Sequence, residues 1–196
     1  MDCSPDDVLR FWLEDCGPED WYRGGDALDD EIRARFLPAW EVARGGGFTC
    51  WRRDARGALA LAILVDQFPR NMFRGEALAF ATDMLARATA KQAVARGFDL
   101  QIDGAARQFF YLPIEHSESL PDQERAVRLI AMRMDAPETL LHAQAHRDII
   151  RRFGRFPFRN DALGRTSSPE ERAFLKDGGY GTTVNALRAA SQGLSS

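Results

Sequence analysis

Apolar positions in this chain recur at three- and four-residue spacing, and no segment sustains a period-two alternation. That pattern predicts helices and no sheet. Ser4-Pro5-Asp6-Asp7 reads as a helix start, with a hydroxyl cap, proline at the first helical position and acids in the first turn. Val8, Phe11 and Trp12 then share a face. After Gly24-Gly25 a second helix begins near Asp29, with its stripe at Ile32, Phe36 and Trp40; Pro38 is expected to bend or shorten it. A third helix, about 56–67, is apolar nearly all round (Leu59, Leu61, Ile63, Leu64, Val65), which predicts a central, buried position, and Pro69 stops it. Helices follow over about 76–96, 104–112, 119–134 and 137–153, and Ser168-Pro169-Glu170-Glu171 opens the last with a capping box. From Gly178 onward glycine and serine accumulate. Residues 1–178 are therefore read as a single helical domain. Residues 179–196 are read as a loosely ordered tail with at most a short helix around 184–190.

Three of these helices are predicted to end at similar breaks, Phe68-Pro69, Leu112-Pro113 and Phe156-Pro157, spaced 44 residues apart. Helix-pair repeats recur at roughly 34–47 residues. The predicted architecture is all-α: stacked antiparallel helix pairs, tetratricopeptide-repeat-like, without a sheet.

Composition narrows the function classes. A chain of 196 residues, 45% hydrophobic and 28% charged, fits one domain able to bury its own core. A net charge of −3 gives no electrostatic case for nucleic acid or an anionic membrane. The longest apolar run, 58–65, falls far short of the ~20 residues that cross a bilayer. The acidic start lacks the apolar core of a signal peptide. Three cysteines (Cys3, Cys16, Cys50) without a Cys-x-x-Cys pair predict neither a disulfide framework nor a zinc knuckle, so a cytoplasmic protein is expected. No cofactor motif occurs: Gly45-Gly46-Gly47 lacks the ending of a phosphate loop, and Ser117 lacks a glycine-flanked elbow.

The polar residues crowd beside the proline breaks, in segments 66–75, 107–118 and 151–165. Only two of the 26 basic residues, Lys91 and Lys176, are lysine. Arginine suits planar pairing with carboxylate or phosphate. If stacking brings the breaks together, their arginines outnumber Asp66, Glu115 and Glu118. The leading expectation is thus a helical-repeat module binding a small anionic ligand or an acidic peptide. Arg70, Arg107, Arg155 and Arg159 would contact the charge, with Tyr111 and Asn160 orienting it.

These segments, with Asp29-x-x-Ile32-x-x-Arg35-Phe36 and His146-x-x-Ile149-Ile150-x-Arg152-Phe153, resemble a bacterial family known as domain of unknown function nine-two-four. The resemblance runs from Phe11-Trp12 to Phe174-Leu175. It implies an all-helical fold similar to tetratricopeptide-repeat proteins and implies no activity. The chain departs from the family at Phe158, where the usual segment reads Phe-Pro-His-Arg-Asn.

The alternative expectation is an enzyme, a hydrolase or acid–base catalyst, using His116 and His146 with Glu115 or Asp66, since a carboxylate beside a histidine is the minimum equipment for proton transfer. It requires the two imidazoles to face one another within about 8 Å. His142 and His146 at i, i+4 also present two imidazoles on one face, but no His-Glu-x-x-His occurs, and no metal site is expected. A protein-interaction scaffold is the third reading, and oligomeric state is left open.

Overall fold

The computed structural model describes residues 3–193, and among them it contains helices, turns and no strand. The chain divides into two compact units, Met1–Pro113 and Ile114–Ser196.

The first unit opens with α1 (Pro5–Arg10), where Ser4 Oγ accepts the Asp7 N–H at 3.3 Å and the Asp7 carboxylate accepts the Ser4 N–H at 2.9 Å. This is the capping that the opening residues predict. A π-helical turn, Phe11–Asp15, continues α1 and buries Phe11 and Trp12. After α2 (Pro18–Arg23), the long α3 (Asp26–Arg44) carries Ile32, Phe36 and Trp40 into the core and continues past Pro38 to Arg44. The centre of the unit is α4 (Ala55–Met72), apolar and buried along almost its whole length. The helices α1, α3 and α5 (Asp83–Ala95) all pack against it.

Two expected boundaries fail here for a single reason. Pro69 does not stop α4; the helix runs on to Met72. Proline cannot donate to the carbonyl four residues back, and in a buried helix that carbonyl needs another donor. Thr82 supplies it: its Oγ1 donates to the Val65 carbonyl at 2.6 Å and accepts from Trp40 Nε1 at 3.1 Å. Thr82 thereby stands between a 3-10 turn (Ala77–Phe80) and α5, and the single long helix expected over 76–96 is broken in two. The segment expected as a helix over 104–112 is likewise a run of 3-10 turns, Gly104–Phe110.

The short α6 (Leu112–Glu115) spans the boundary between the units. In the second unit α7 (Leu120–Arg133) packs on α8 (Pro137–Phe153), whose bounds are those the periodicity predicts. Then α9 (Pro169–Lys176) begins at the expected capping box, with Ser168 Oγ accepting the Glu171 N–H at 3.1 Å. The expected loose tail is instead mostly a helix: α10 (Gly179–Gly193) packs against α8 and α9. Its glycine, threonine and serine are weak helix formers, and tertiary contacts supply the stability that propensity does not. Val184 is buried, and Arg188 pairs with Glu138 at 2.6 Å. Residues 194–196 of the predicted tail lie outside the described residues. Among the described residues no helix is long and apolar enough to cross a membrane.

The Pro69 repair gives the first prediction. Thr82→Val keeps the shape and removes the hydroxyl, leaving the Val65 carbonyl and the Trp40 N–H without partners in the core. Urea unfolding should show a loss of roughly 1–3 kcal/mol for an orphaned buried polar group. An unchanged midpoint would mean that Thr82 is not what lets α4 pass Pro69.

Candidate active site

The second unit brings together all three histidines of the chain. His142 and His146 lie one turn apart on α8 and so share a face. Glu115 ends α6, and His116 follows it. Gln123, on the first turns of α7, fixes this corner by donating its amide to the carbonyls of Glu115 and Ser117. The corner presents the Glu115 carboxylate, which is only 1% exposed, to α8. Its Oε1 lies 2.6 Å from His146 Nδ1. The same nitrogen is 3.0 Å from the His142 carbonyl. Both neighbours are acceptors, so Nδ1 carries the proton and Nε2 is the basic atom. No described group donates a hydrogen bond to the second carboxylate oxygen of Glu115, Oε2, which is buried.

Aromatic rings surround this pair. The His116 ring is 6.1 Å from that of His146, edge-on. Phe156 meets His146 at 5.3 Å and Tyr180 at 4.8 Å. Tyr180 also stacks on His142 at 5.8 Å, and its hydroxyl is 2.5 Å from His142 Nδ1. Two consecutive glycines with positive φ, Gly178 (+96°) and Gly179 (+55°), make the turn from α9 that delivers Tyr180 to this position. Burial pushes the proton affinity of His142 below that of an ordinary histidine; His146 and Arg188 push the same way, against Glu115 and Glu138. Among the described residues no three His, Cys, Asp or Glu side chains are grouped to hold a metal ion.

The loop carrying Phe156 is held by charged struts rather than by apolar packing alone. Glu118 accepts the Phe156 N–H at 2.8 Å and two bonds from Arg165, at 2.7 and 3.0 Å. Burial alone would raise the Glu118 carboxyl, but the Arg165 and Phe156 donors outweigh it and hold it below the usual range. Arg165 also donates to Asn160 Oδ1 at 2.9 Å. Asn160 reaches Ser167 at 3.0 Å and Glu171 at 3.4 Å. Arg155 closes the chain on Glu171 with bonds of 2.6 and 2.8 Å. Arg155, the Ser168 N–H and Asn160 together hold the Glu171 carboxyl at about 2.

The residues expected to bind an anion have other work in this structure. Arg70 pairs with Asp66 at 3.3 Å and Asp83 at 2.9 Å. Arg107 donates to the Ile102 carbonyl at 2.8 Å and reaches Asp103 at 3.5 Å. Tyr111 is 0% exposed, with its hydroxyl on Asp99 at 2.6 Å, and is a core residue of the first unit. Arg155 and Asn160 belong to the strut network, and buried Arg159 lies 4.5 Å over the Phe156 ring. The anion-site expectation counted acids within each segment, whereas the acids that meet these arginines often come from elsewhere. Of the catalytic candidates, Glu115, His116 and His146 come together. Asp66 belongs to the first unit, where Arg70 and Gln67 take its carboxylate. Tyr180 is the residue that sequence reading missed, because its segment resembles a tail; an aromatic residue following paired glycines was the available signal.

A proton-linked test of the network follows from Glu171. Its folded-state carboxyl, at about 2, lies below the ordinary 4.5, so the stability it contributes is complete above pH 4.5 and is lost as pH falls from there toward 2. Thermal melts across that range should show the wild type losing stability more steeply than Glu171→Gln, and the variant should already be less stable at pH 7. Parallel curves would show that Glu171 is not the acid that titrates.

The comparisons with known proteins agree with the fold. The sequence pattern of a bacterial protein family of unknown function, DUF924, matches residues 8–179. A solved structure of a protein of unknown function from Agrobacterium tumefaciens is similar at 42% identity, covering 88% of this chain and 97% of that one, with a TM-score of 0.84. No curated protein matches the chain. With the matched pattern extending over nearly all of both units, the chain belongs to the DUF924 family.

Proposed function

We propose that this protein is an enzyme, a general acid–base catalyst of hydrolytic or isomerising type, in which His146 Nε2 is the base and His116 the partner group. The observation that carries this reading is the buried Glu115 carboxylate at 2.6 Å from His146 Nδ1, with the His116 ring 6.1 Å away. A carboxylate behind an imidazole fixes its tautomer and stabilises the imidazolium formed when the far nitrogen takes a proton. That is a working arrangement for a base at neutral pH. The second imidazole, edge-on at 6.1 Å, is close enough to give a proton back to a small substrate lying against the edges of both rings. The anion-binding reading has weaker support, because Arg70 and Arg155 are each bonded to carboxylates. The pairing of Glu115 with a histidine, where the other acids of this unit's strut network meet arginine, favours chemistry over mere cohesion.

Long-range nitrogen–proton NMR of the histidines should find His146 as the Nδ1–H tautomer in the wild type, with that preference weakened in Glu115→Ala, where only the His142 carbonyl still accepts. Against a panel of chromogenic esters and of ketones followed by deuterium exchange, kcat/KM should fall by about 10²–10⁴ in His146→Gln, the range for loss of a general base. Glu115→Gln should fall with it while circular dichroism stays native. Rates equal in wild type and His146→Gln would end the reading.

A further inference from the structure

Beyond the Glu115–His146 pair, the same unit holds a second hydrogen-bonded pair which that reading does not use: Tyr180 and His142. We propose that Tyr180 is a nucleophilic tyrosine, activated by His142 as its general base, that accepts an acyl-type group from an activated donor.

The geometry is that of a nucleophile and its base. The Tyr180 hydroxyl is 2.5 Å from His142 Nδ1, and the two rings stack at 5.8 Å with an interplanar angle of 17°. A nucleophile–base pair is recognised by hydrogen-bond contact between them and by a base that is itself held in place. His142 is carried by the long helix α8, and its half-buried imidazole is set by the stack on the Tyr180 ring. An imidazole can take the phenol proton only if it is neutral beforehand. Burial favours the neutral form of His142, and the charged groups that act on it, Glu115, His146, Glu138 and Arg188, leave its proton affinity lowered overall. Tyr180 is partly buried against a cluster that includes Ile149, Ile150 and Phe156, so its oxygen is borne on a fixed ring. Phe158, 43% exposed, lies 6.2 Å from Tyr180 and offers an aromatic surface beside it.

The step balances without any further reactant. The phenol oxygen attacks the electrophilic centre of the donor, its proton passes to His142 Nδ1, and the leaving group departs with its electron pair. The imidazolium then releases its proton to water. An aryl sulfonyl fluoride tests this directly, since it transfers its sulfonyl group to the oxygen and expels fluoride. The chain supplies its own controls, having three tyrosines. Tyr22 is 63% exposed with its hydroxyl on Gln108, and Tyr111 is 0% exposed with its hydroxyl on Asp99.

Incubation of the full-length protein with the sulfonyl fluoride, followed by peptide mass spectrometry, should label Tyr180 at least about tenfold faster than the more exposed Tyr22, a conservative fraction of what a general base contributes. His142→Gln, which keeps a polar partner but cannot take the proton, should bring Tyr180 down to the rate of Tyr22. Should His142→Gln fail to fold by circular dichroism, His142→Asn serves as the second variant. In the wild type, labelling should hold as pH falls through about 6.5, the ordinary histidine value, and drop only below it. Faster labelling of Tyr22 than of Tyr180, or an unchanged Tyr180 rate in a folded His142 variant, overturns the proposal. The readout needs no turnover at His146, so this proposal and the acid–base reading fail separately.

Discussion

An ionised carboxyl group removed from water is tolerable only beside a partner that shares its charge or its proton. Each unit of this protein holds carboxylates wholly or partly out of water; some, such as Asp99 and Asp122, meet hydroxyls, and the rest differ in the cationic or imidazole partner they meet. Asp29 and Asp66 meet Arg74 and Arg70 in the first unit; Glu118 and Glu171 meet Arg165 and Arg155 in the second. A guanidinium never gives up its proton near neutral pH, so these pairs are permanent struts. Glu115 is different: its partner is the His146 imidazole rather than a guanidinium. The demand for a partner yields guanidinium ion pairs at Asp29, Asp66, Glu118 and Glu171, and a carboxylate–imidazole contact at Glu115.

The struts also explain how a loop is made rigid enough to border that proton. The backbone of Phe156 is held at its N–H by Glu118 and at its carbonyl by Arg165, at 2.8 and 3.1 Å. The Phe156 ring then has a defined place, 5.3 Å from His146 on one side and 4.5 Å from the Arg159 guanidinium on the other. Asn160 and Glu171 tie the far end of the loop to the cap of α9. In this loop the Arg155 and Arg165 guanidiniums act as hydrogen-bond donors that fix backbone and side-chain positions.

Local signals were legible in the sequence and distant ones were not. The capping boxes at Ser4 and Ser168 and the full extent of α8 follow from residues within one or two turns of each other. The persistence of α4 past Pro69 depends on Thr82, 17 residues from the carbonyl it bonds. Arginine partners are distant in the same way: Arg74 finds its acid 45 residues away and Arg165 finds Glu118 at 47. Counting charges within a segment cannot see such partners. The histidine cluster was half legible. His116 and His146 stood out together with Glu115, and the i, i+4 spacing of His142 was visible as well. Tyr180 was not, because the glycines and threonines around it mask a helix that packing stabilises.

The resemblance to the family implies a histidine at position 158, where this chain has Phe158. In the structure the position is inside the cluster rather than apart from it: the Phe158 ring stacks on Phe156 at 5.2 Å and meets Tyr180 edge-on at 6.2 Å. A phenyl ring neither takes nor gives a proton, so whatever an imidazole would do at that point is absent in this protein. Yet the bond from Glu115 to His146, the contact of His116 with His146 and the bond between Tyr180 and His142 involve no atom of residue 158. The substitution therefore alters the wall beside the proton-carrying pairs and leaves the pairs themselves intact. Residue 158 thus contributes an apolar ring to the edge of the cluster and no titratable group.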